Sequence, residues 1–213
     1  MLLQAGVDWF GFPLHLELHR EDLPAGEVSR IIASLDIGDR AVLITYLVDA
    51  LAIARLAAML GCRRVQLHGD ITAGEVRRLK EADPGLYLIK ALVVRPGNLD
   101  ELLNDLQDFA PFVNAFITDT WDPQTGARGA TGKTHDWKAS RRIVESAIRP
   151  VIVAGGLTPE NVGRAIVQVR PAGVDSHTGV EAPDGTKDPI RVRAFVEEAR
   201  RAFALLERND SES

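Results

Sequence analysis

Two turns late in the chain combine glycines with helix-starting residues. Gly155-Gly156 directly follows the apolar run Val151–Ala154, and Thr158 and Pro159 come next. Thr at an N-cap and Pro at the first helical position are typical helix starts. Paired glycines let a backbone approach a ligand closely, and the N–H groups of a helix start favour an anion. A tight turn with no ligand is the alternative.

The second turn is Thr178-Gly179, which follows the short strand-like segment Gly173–Asp175. It can add a hydroxyl group and another N–H to the same anion. Neighbouring loops that offer N–H groups to an anion after the last two strands are typical of the phosphate site of eight-stranded α/β barrels. The two turns therefore predict a phosphate-binding site that includes Gly155, Gly156, Thr178 and Gly179.

Asp119 is a candidate proton donor. It ends the apolar run Ala115–Thr118, and functional groups of parallel α/β folds collect beyond the carboxyl ends of strands. A carboxyl group half buried there can hold a raised pKa and donate a proton. For Asp119 alone, a loop carboxylate that hydrogen-bonds to its own turn is the simpler interpretation.

Short β-rich runs alternate with amphipathic stretches along the whole chain, which indicates βα units. The predicted strands are Asp8–Leu14, Ala41–Tyr46, Arg64–Leu67, Tyr87–Val94, Ala115–Thr118, Pro150–Ala154 and Gly173–Asp175. The predicted helices include Val48–Leu60, Ala73–Glu81, Leu99–Phe109, Asp136–Ile148, Glu160–Val169 and Ile190–Leu206. Most of the strands are continuously apolar, as parallel strands covered on both faces should be.

The strand pattern leaves two α/β architectures open. A closed (β/α)8 barrel needs eight strands, whereas seven can be read here. Met1–Gly6 resembles the last turn of a helix that ends at a glycine, so we expect a first βα unit to be missing from this chain. An open doubly wound sheet accommodates fewer strands, and the pattern alone slightly favours it. We expect one domain over residues 1–206 and a frayed polar tail over 207–213.

Composition excludes several classes of protein. A net charge of −5 and a pI near 5.6 disfavour a nucleic-acid or anionic-membrane partner. The single cysteine excludes an internal disulfide framework and a multi-cysteine zinc site. The histidines show no metal-ligand spacing, and no apolar run reaches membrane-spanning length. We therefore expect a soluble cytoplasmic protein without a metal.

The sequence contains three further candidate features, which are Cys62, His68 and the segment 125–134. Cys62 lies between a helix and the strand that it feeds, so a small buried apolar role is expected at the N-terminal face of the sheet. His68 follows a strand and either touches a ligand or bonds to a neighbouring loop. The glycine-rich segment 125–134 does not fit the spacing of a nucleotide P-loop and is interpreted as a mobile lid.

Four motifs occur in order at intervals that suggest one family. They are Val65-Gln-Leu-His-Gly69, Thr131-Gly-Lys-Thr134 with Asp136-Trp137, Ala154-Gly-Gly-Leu-Thr-Pro-Glu-Asn161, and Gly179-Val-Glu181 followed by Lys187-Asp188. Together they strongly resemble phosphoribosylanthranilate isomerase of tryptophan biosynthesis, from Gly6 to the final helix. The resemblance implies a (β/α)8 TIM-barrel fold that lacks its first strand in this chain, and it outweighs the preference for an open sheet.

The resemblance also implies the chemistry. The family rearranges N-(5'-phosphoribosyl)anthranilate to 1-(2-carboxyphenylamino)-1-deoxyribulose 5-phosphate without a metal or an organic cofactor. A general acid opens the furanose ring, and a general base then removes the C2' proton. Asp119 matches the family's acid, and Arg20 matches the arginine that binds the anthranilate carboxylate. The phosphate loops correspond to Gly155, Gly156, Thr178 and Gly179, and Asp175 falls at the functional end of the last strand.

The chain departs from the family at the general base. The family uses a cysteine on its first strand, in a Lys-Ile-Cys-Gly-like motif, and this chain begins after that strand. Cys62 is expected on the opposite face and cannot replace it. A serine pair has also become His177-Thr178, and Pro13–His19 differs from the usual prolines and serines.

Three interpretations follow from this departure. The first, which we favour, is that the true start lies upstream and carries the cysteine. In the second, His15, Glu17 or His177 supplies the base; in the third, a non-catalytic barrel binds a phosphorylated small molecule. Without a base the chain would lose about 10²–10⁴ in rate. An open sheet edge would favour self-association, so a homo-oligomer is also expected.

Overall fold

The computed structural model describes residues 1–15, 23–120 and 137–211. The strands within these residues are β1 Phe10–Pro13, β2 Ala41–Thr45, β3 Arg64–Leu67, β4 Tyr87–Val94, β5 Ala115–Thr120, β6 Val151–Val153 and β7 Gly173–Val174. The α-helices are α1 Leu2–Ala5, α2 Ala25–Leu35, α3 Ala50–Leu60, α4 Ala73–Ala82, α5 Leu99–Phe109, α6 Trp137–Ser146, α7 Val162–Val169 and α8 Pro189–Ser211. A 3-10 helix, η1, spans Thr178–Val180.

The strands form one seven-stranded sheet whose order follows the chain from β1 to β7. The pairs β1–β2, β2–β3, β3–β4 and β6–β7 are parallel. An open doubly wound sheet reverses its strand order at a switch point. The sheet has no such reversal among the described strands, so the open-sheet pattern does not apply.

The chain divides into two compact units, which are described separately. The first unit comprises Met1–Val7, Leu92–Leu106 and Ile117–Ser213, and the second comprises Asp8–Ala91 and Gln107–Phe116. The core of the first unit includes Val153, Ile166 and Phe195, all buried where α7 and α8 pack. The core of the second unit includes the fully buried Leu43, Val65 and Leu88 of neighbouring strands.

Local caps explain where several helices begin and end. The Asp49 carboxylate accepts the N–H of Ala52 at 2.7 Å and starts α3, which ends at Gly61 with φ 77°. The hydroxyl group of Thr72 accepts the N–H of Glu75 at 3.2 Å and starts α4. Each cap satisfies a backbone group that the helix itself cannot pair.

Gly6 ends α1 as the sequence predicted. It adopts the left-handed conformation with φ 79°, and Arg200 of α8 donates a hydrogen bond to its carbonyl oxygen at 2.8 Å. Leu2 and Ala5 pack against the apolar cluster of the first unit. The short helix is therefore tied to α8 by one hydrogen bond and by apolar contact.

Several predicted boundaries were wrong by one to a few residues. β1 begins at Phe10 rather than Asp8, β6 spans only Val151–Val153, and β7 stops at Val174. α7 begins at Val162 rather than Glu160, because the preceding residues form the turn described below.

The C-terminal end was also predicted incorrectly. α8 continues through Ser211, so residues 207–211 are helical rather than frayed. The Ser211 hydroxyl group donates to the carbonyl oxygen of Glu207 at 2.8 Å. Arg208 lies in the last turn, where a positive charge is favourable. The single-domain interpretation of residues 1–206 stays a prediction.

None of the helices in the described parts of the chain combines the length and apolar character needed to cross a bilayer.

Candidate active site

Asp119 lies inside β5 and is buried. Its side chain is 7% exposed, and its neighbours Thr118 and Thr120 are 0% and 4% exposed. Its Oδ1 accepts the N–H of Thr120 at 2.7 Å. Burial raises the pKa of Asp119 to about 7 and the nearby Asp175 adds to the increase, while the Thr120 N–H opposes it. This carboxyl group can therefore hold a proton close to neutral pH, as a general acid must.

The sheet brings the ends of β5, β6 and β7 together. The N–H of Ala154 donates to the Thr118 carbonyl oxygen at 3.0 Å, and the N–H of Asp175 donates to the Val153 carbonyl oxygen at 2.9 Å. The first of these bonds joins Thr118 to Ala154, and the residues that come next in the chain are Asp119 and Gly155. The carboxyl groups of Asp119 and Asp175 are close enough to interact electrostatically.

Asp175 keeps contact with solvent, unlike Asp119. Desolvation by surrounding protein atoms raises its pKa, while the charges of His177 and Lys187 lower it. The two acids of this edge therefore differ in exposure, because Asp119 is buried and Asp175 is exposed.

The first glycine turn is built around Asn161. Gly155 and Gly156 adopt φ angles of 94° and 63°, which favour glycine over other residues. The Asn161 side chain donates to the Gly156 carbonyl oxygen at 3.0 Å and accepts the N–H of Thr158 at 2.9 Å. The Thr158 hydroxyl group accepts the N–H of Glu160 at 3.2 Å. The Thr158 hydroxyl group thus accepts a backbone N–H, as predicted for a capping residue. The N-cap of α7, however, is Asn161.

The second glycine turn packs directly against the first. A Cβ atom on Gly179 would collide with the backbone carbonyl oxygen of Leu157, so only glycine fits there. The hydroxyl group of Ser176 donates to the same Leu157 oxygen at 2.7 Å. Thr178 and Gly179 begin η1, where the first N–H groups have no acceptor within the helix. The predicted phosphate residues of both turns are therefore neighbours.

A charged cluster surrounds the second turn. The Lys187 ammonium group donates to the His177 carbonyl oxygen at 3.0 Å and to the Glu181 carboxylate at 2.5 Å. The His177 Nδ1 lies 3.4 Å from the same carboxylate. The sequence identified Lys187 and Glu181 only as motif positions. Their contact with each other could not be predicted from their spacing.

Cys62 belongs to the second unit and lies in the connection between α3 and β3. It is 3% exposed, lies two residues before the first residue of β3, and has its pKa raised to about 12 by burial. A thiol with such a pKa is not ionised near neutral pH and is a poor base or nucleophile. The prediction of a buried apolar role is confirmed.

The second unit contains a buried polar cluster that follows β3. His68 is buried, its ring stacks on Tyr46 at 5.3 Å, and its Nε2 lies 2.6 Å from the Gln66 amide nitrogen. Burial and the nearby Lys90 lower the pKa of His68 to about 3, so the imidazole stays neutral. The Lys90 ammonium group donates to the Gly69 carbonyl oxygen at 3.3 Å. Lys90 was missed because it sits within an apolar strand.

Several predicted residues lie outside the described part of the chain. These are Arg20, Glu17 and the segment 125–134 that was interpreted as a lid. His15 is described; it is exposed and adopts a left-handed backbone with φ 54°.

Comparison with known proteins gives the family. The model of the N-(5'-phosphoribosyl)anthranilate (PRA) isomerase family matches residues 44–198. This chain belongs to that family.

The relatives cover most of the chain. PRA isomerase 2 of Methanosarcina mazei is 43% identical over 163 residues, which are 76% of this chain and 70% of the relative. The solved PRA isomerase of Pyrococcus furiosus is 28% identical, with a TM-score of 0.74 over 94% of this chain and 92% of that one. The predicted (β/α)8 TIM-barrel type of fold is confirmed, with seven strands described here.

One similar structure carries a ligand. It is a PRA isomerase in complex with reduced 1-(o-carboxyphenylamino)-1-deoxyribulose 5-phosphate, 26% identical, with a TM-score of 0.73 over 94% of this chain and 91% of that one. The family assignment and these relatives do not favour the alternative of a non-catalytic barrel.

Proposed function

We propose that this PRA isomerase acts on its substrate at the edge where β5, β6 and β7 end, with Asp119 as the general acid. The reaction is the rearrangement of N-(5'-phosphoribosyl)anthranilate to 1-(2-carboxyphenylamino)-1-deoxyribulose 5-phosphate. The observation that carries the proposal is the buried Asp119 carboxyl group, with its pKa near 7, one residue beyond the bond that joins β5 to β6.

The first step needs a proton donor. Protonated Asp119 gives its proton to the furanose ring oxygen, the C1'–O bond breaks, and the lone pair of the anthranilate nitrogen forms an iminium ion. The iminium acidifies the C2' proton, so a base can remove it to give an enolamine. Tautomerisation of the enolamine yields the C2' ketone. The proton from Asp119 remains in the product as that of the 4'-hydroxyl group and the base holds the C2' proton, so proton exchange with water returns both groups to their starting states.

The phosphate group anchors the substrate in this proposal. The backbone N–H groups of the turns at Gly155-Gly156 and Thr178-Gly179 provide donors for an anion, and the glycines leave room for it. A phosphate held there places the sugar within reach of the acid on the neighbouring strand end. The solved complex of a relative with a phosphorylated analogue supports a ligand of this class.

The remaining substrate contacts are assigned to Asp175 and Arg20. Asp175 keeps solvent access at the end of β7, so its carboxylate can accept hydrogen bonds from sugar hydroxyl groups. Arg20 is assigned to the anthranilate carboxylate, since a guanidinium group pairs with a carboxylate through two parallel bonds. A cytoplasmic location and homo-oligomerisation stay predictions.

Among the candidate bases His15, Glu17 and His177, His177 is the one that directly precedes the second glycine turn. Its Nδ1 lies 3.4 Å from the Glu181 carboxylate, an arrangement that orients an imidazole. It also acts electrostatically on Asp175 at the same edge. His177→Ser tests this role: loss of the base lowers kcat, whereas a change in KM alone assigns His177 to substrate binding.

Steady-state assay of the purified protein on N-(5'-phosphoribosyl)anthranilate tests the proposal. We expect turnover, and we expect Asp119→Asn to lower kcat/KM by about 10²–10⁴. Asp108→Asn, an exposed position in α5, is the matched control and should retain full activity. Binding of the reduced product analogue without any turnover would favour a binding-only barrel instead.

A further inference from the structure

Arg191 joins the two glycine turns. It lies in the first turn of α8, and its Nε and Nη2 atoms donate to the Gly179 carbonyl oxygen at 3.1 and 2.9 Å. Its Nη1 and Nη2 atoms also lie 3.4 Å from the two carboxylate oxygens of Glu160, which belongs to the first glycine turn. We propose that Arg191 is a positioning residue that fixes the distance and orientation of the two phosphate-binding turns. This inference rests on the proposed phosphate site.

The contact with Gly179 decides which way the turn faces. A backbone that binds an anion must direct its N–H groups toward the ligand and its carbonyl oxygens away, because the oxygens carry partial negative charge. The Arg191 guanidinium group is rigid and planar, and it donates two hydrogen bonds to the Gly179 carbonyl oxygen. That oxygen is thereby held toward α8, and the peptide unit cannot rotate without losing both bonds.

The Lys187 contact supports the same arrangement. Its ammonium group takes the His177 carbonyl oxygen at 3.0 Å, two residues before Gly179. The carbonyl oxygens on both sides of Thr178 are therefore bound by cations from the segment that begins α8. Each cation also partly offsets the negative charge of the nearby carboxylates.

The contact with Glu160 extends the brace to the first turn. The Glu160 side chain is 66% exposed, so this ion pair adds little to stability by itself. Its role is geometric, since it holds the guanidinium plane in the orientation that serves Gly179. Asp188 helps to fix the Arg191 backbone, because its Oδ1 accepts the Arg191 backbone N–H at 3.3 Å.

Binding of two ligands distinguishes a positioning role at the phosphate turns from a general loss of fold stability. The probes are the reduced product analogue, 1-(o-carboxyphenylamino)-1-deoxyribitol 5-phosphate, and its dephosphorylated form. Arg191→Ala should weaken binding of the phosphorylated probe by roughly tenfold and leave the dephosphorylated probe unchanged. Steady-state kinetics should show a matching rise in KM with little change in kcat. Arg193→Ala, an exposed residue of α8, is the matched control and should bind both probes normally.

Two milder variants keep the test informative if Arg191→Ala does not fold. Arg191→Lys retains a charge but loses the fork, so it should restore binding only partly. Glu160→Gln keeps the side-chain volume and removes the charge, so it should weaken binding of the phosphorylated probe by about threefold.

The outcomes are distinguishable. If the unmodified protein binds neither probe, the proposed function fails. If it binds the phosphorylated probe and the foldable Arg191 variants bind it equally well, the positioning role is refuted. An equal loss for both probes also refutes it, because Arg191 would then support the fold as a whole.

Discussion

The N–H of Ala154 donates a hydrogen bond to the Thr118 carbonyl oxygen at 3.0 Å. This bond sets the residues that follow, Asp119 and Gly155, at neighbouring strand ends. One residue is an acid with a raised pKa and the other begins a turn that only glycine readily adopts. The proposed proton donor and the proposed anion-binding turn therefore follow two residues that one hydrogen bond of the sheet joins.

The rate should depend on pH through Asp119. The acid must be protonated to open the furanose ring, and burial raises its pKa to about 7. We expect kcat/KM to fall as pH rises above 7, with the slope of a single proton. A pH profile of kcat/KM measures this, and Asp119→Asn should give a lower profile without that limb. A profile of the unmodified protein that is level from pH 6 to pH 9 would contradict the role of Asp119.

Stability should depend on pH through the same group. The unfolded carboxyl group ionises near its ordinary pKa of 3.8, whereas the folded one stays protonated up to about 7. Between these values the folded state holds more protons, so the free energy of unfolding decreases as pH rises. Asn does not titrate. The free energy of unfolding of Asp119→Asn, taken relative to that of the unmodified protein, should therefore be about 3 kcal/mol higher at about pH 8 than at about pH 4.5.

Urea unfolding at these two pH values measures that difference. Asp108→Asn serves again as the control, and its difference from the unmodified protein should change little. An Asp119→Asn difference that is the same at both pH values would show that the folded carboxyl group titrates normally.

Gly179→Ala should damage substrate binding. Its Cβ would meet the Leu157 carbonyl oxygen, which is backbone and cannot move aside cheaply, so the two turns must separate. We expect kcat/KM to fall by roughly 10- to 100-fold through the misplaced phosphate. Gly26→Ala is the matched control, because a Cβ there meets nothing within 4 Å in α2. That control should keep its activity and gain about 0.5–1 kcal/mol of stability. Equal kinetics for both variants would rule out the predicted crowding at Gly179.

Cys62 should matter for stability and not for catalysis. The thiol is buried at the N-terminal end of β3, with its pKa raised to about 12. Cys62→Ala should keep kcat/KM within about twofold and lower the free energy of unfolding by about 1 kcal/mol. Iodoacetamide should leave the folded protein active, since the reagent needs an accessible thiolate. Rapid inactivation of the folded protein through Cys62 would contradict this account.

The sequence predicted the elements with strong local signals. The continuous apolar run of β4 and the amphipathic period of α5 gave the observed bounds, Tyr87–Val94 and Leu99–Phe109. β7 was harder, because it has only two residues, and its extent depends on pairing with β6. The strand count favoured an open sheet, and only the ordered motifs indicated a barrel.

The sequence suggested the residue types of the candidate site but not its supporting contacts. Gly155, Gly156 and Gly179 could be named as candidates because each follows a strand. Arg191 could not be found, because it contacts residues 12 and 31 positions away and its neighbours in sequence give no hint of them. Such contacts arise where the start of α8 meets η1 and the turn before α7, and they carry no local pattern.

A crystal structure of this protein with the reduced product analogue tests the central claim most directly. We predict that the analogue's phosphate lies about 3 Å from the backbone nitrogens of Gly156 and Gly179, with its sugar directed toward Asp119. A phosphate bound away from these two turns, with no part of the sugar near Asp119, would contradict the account.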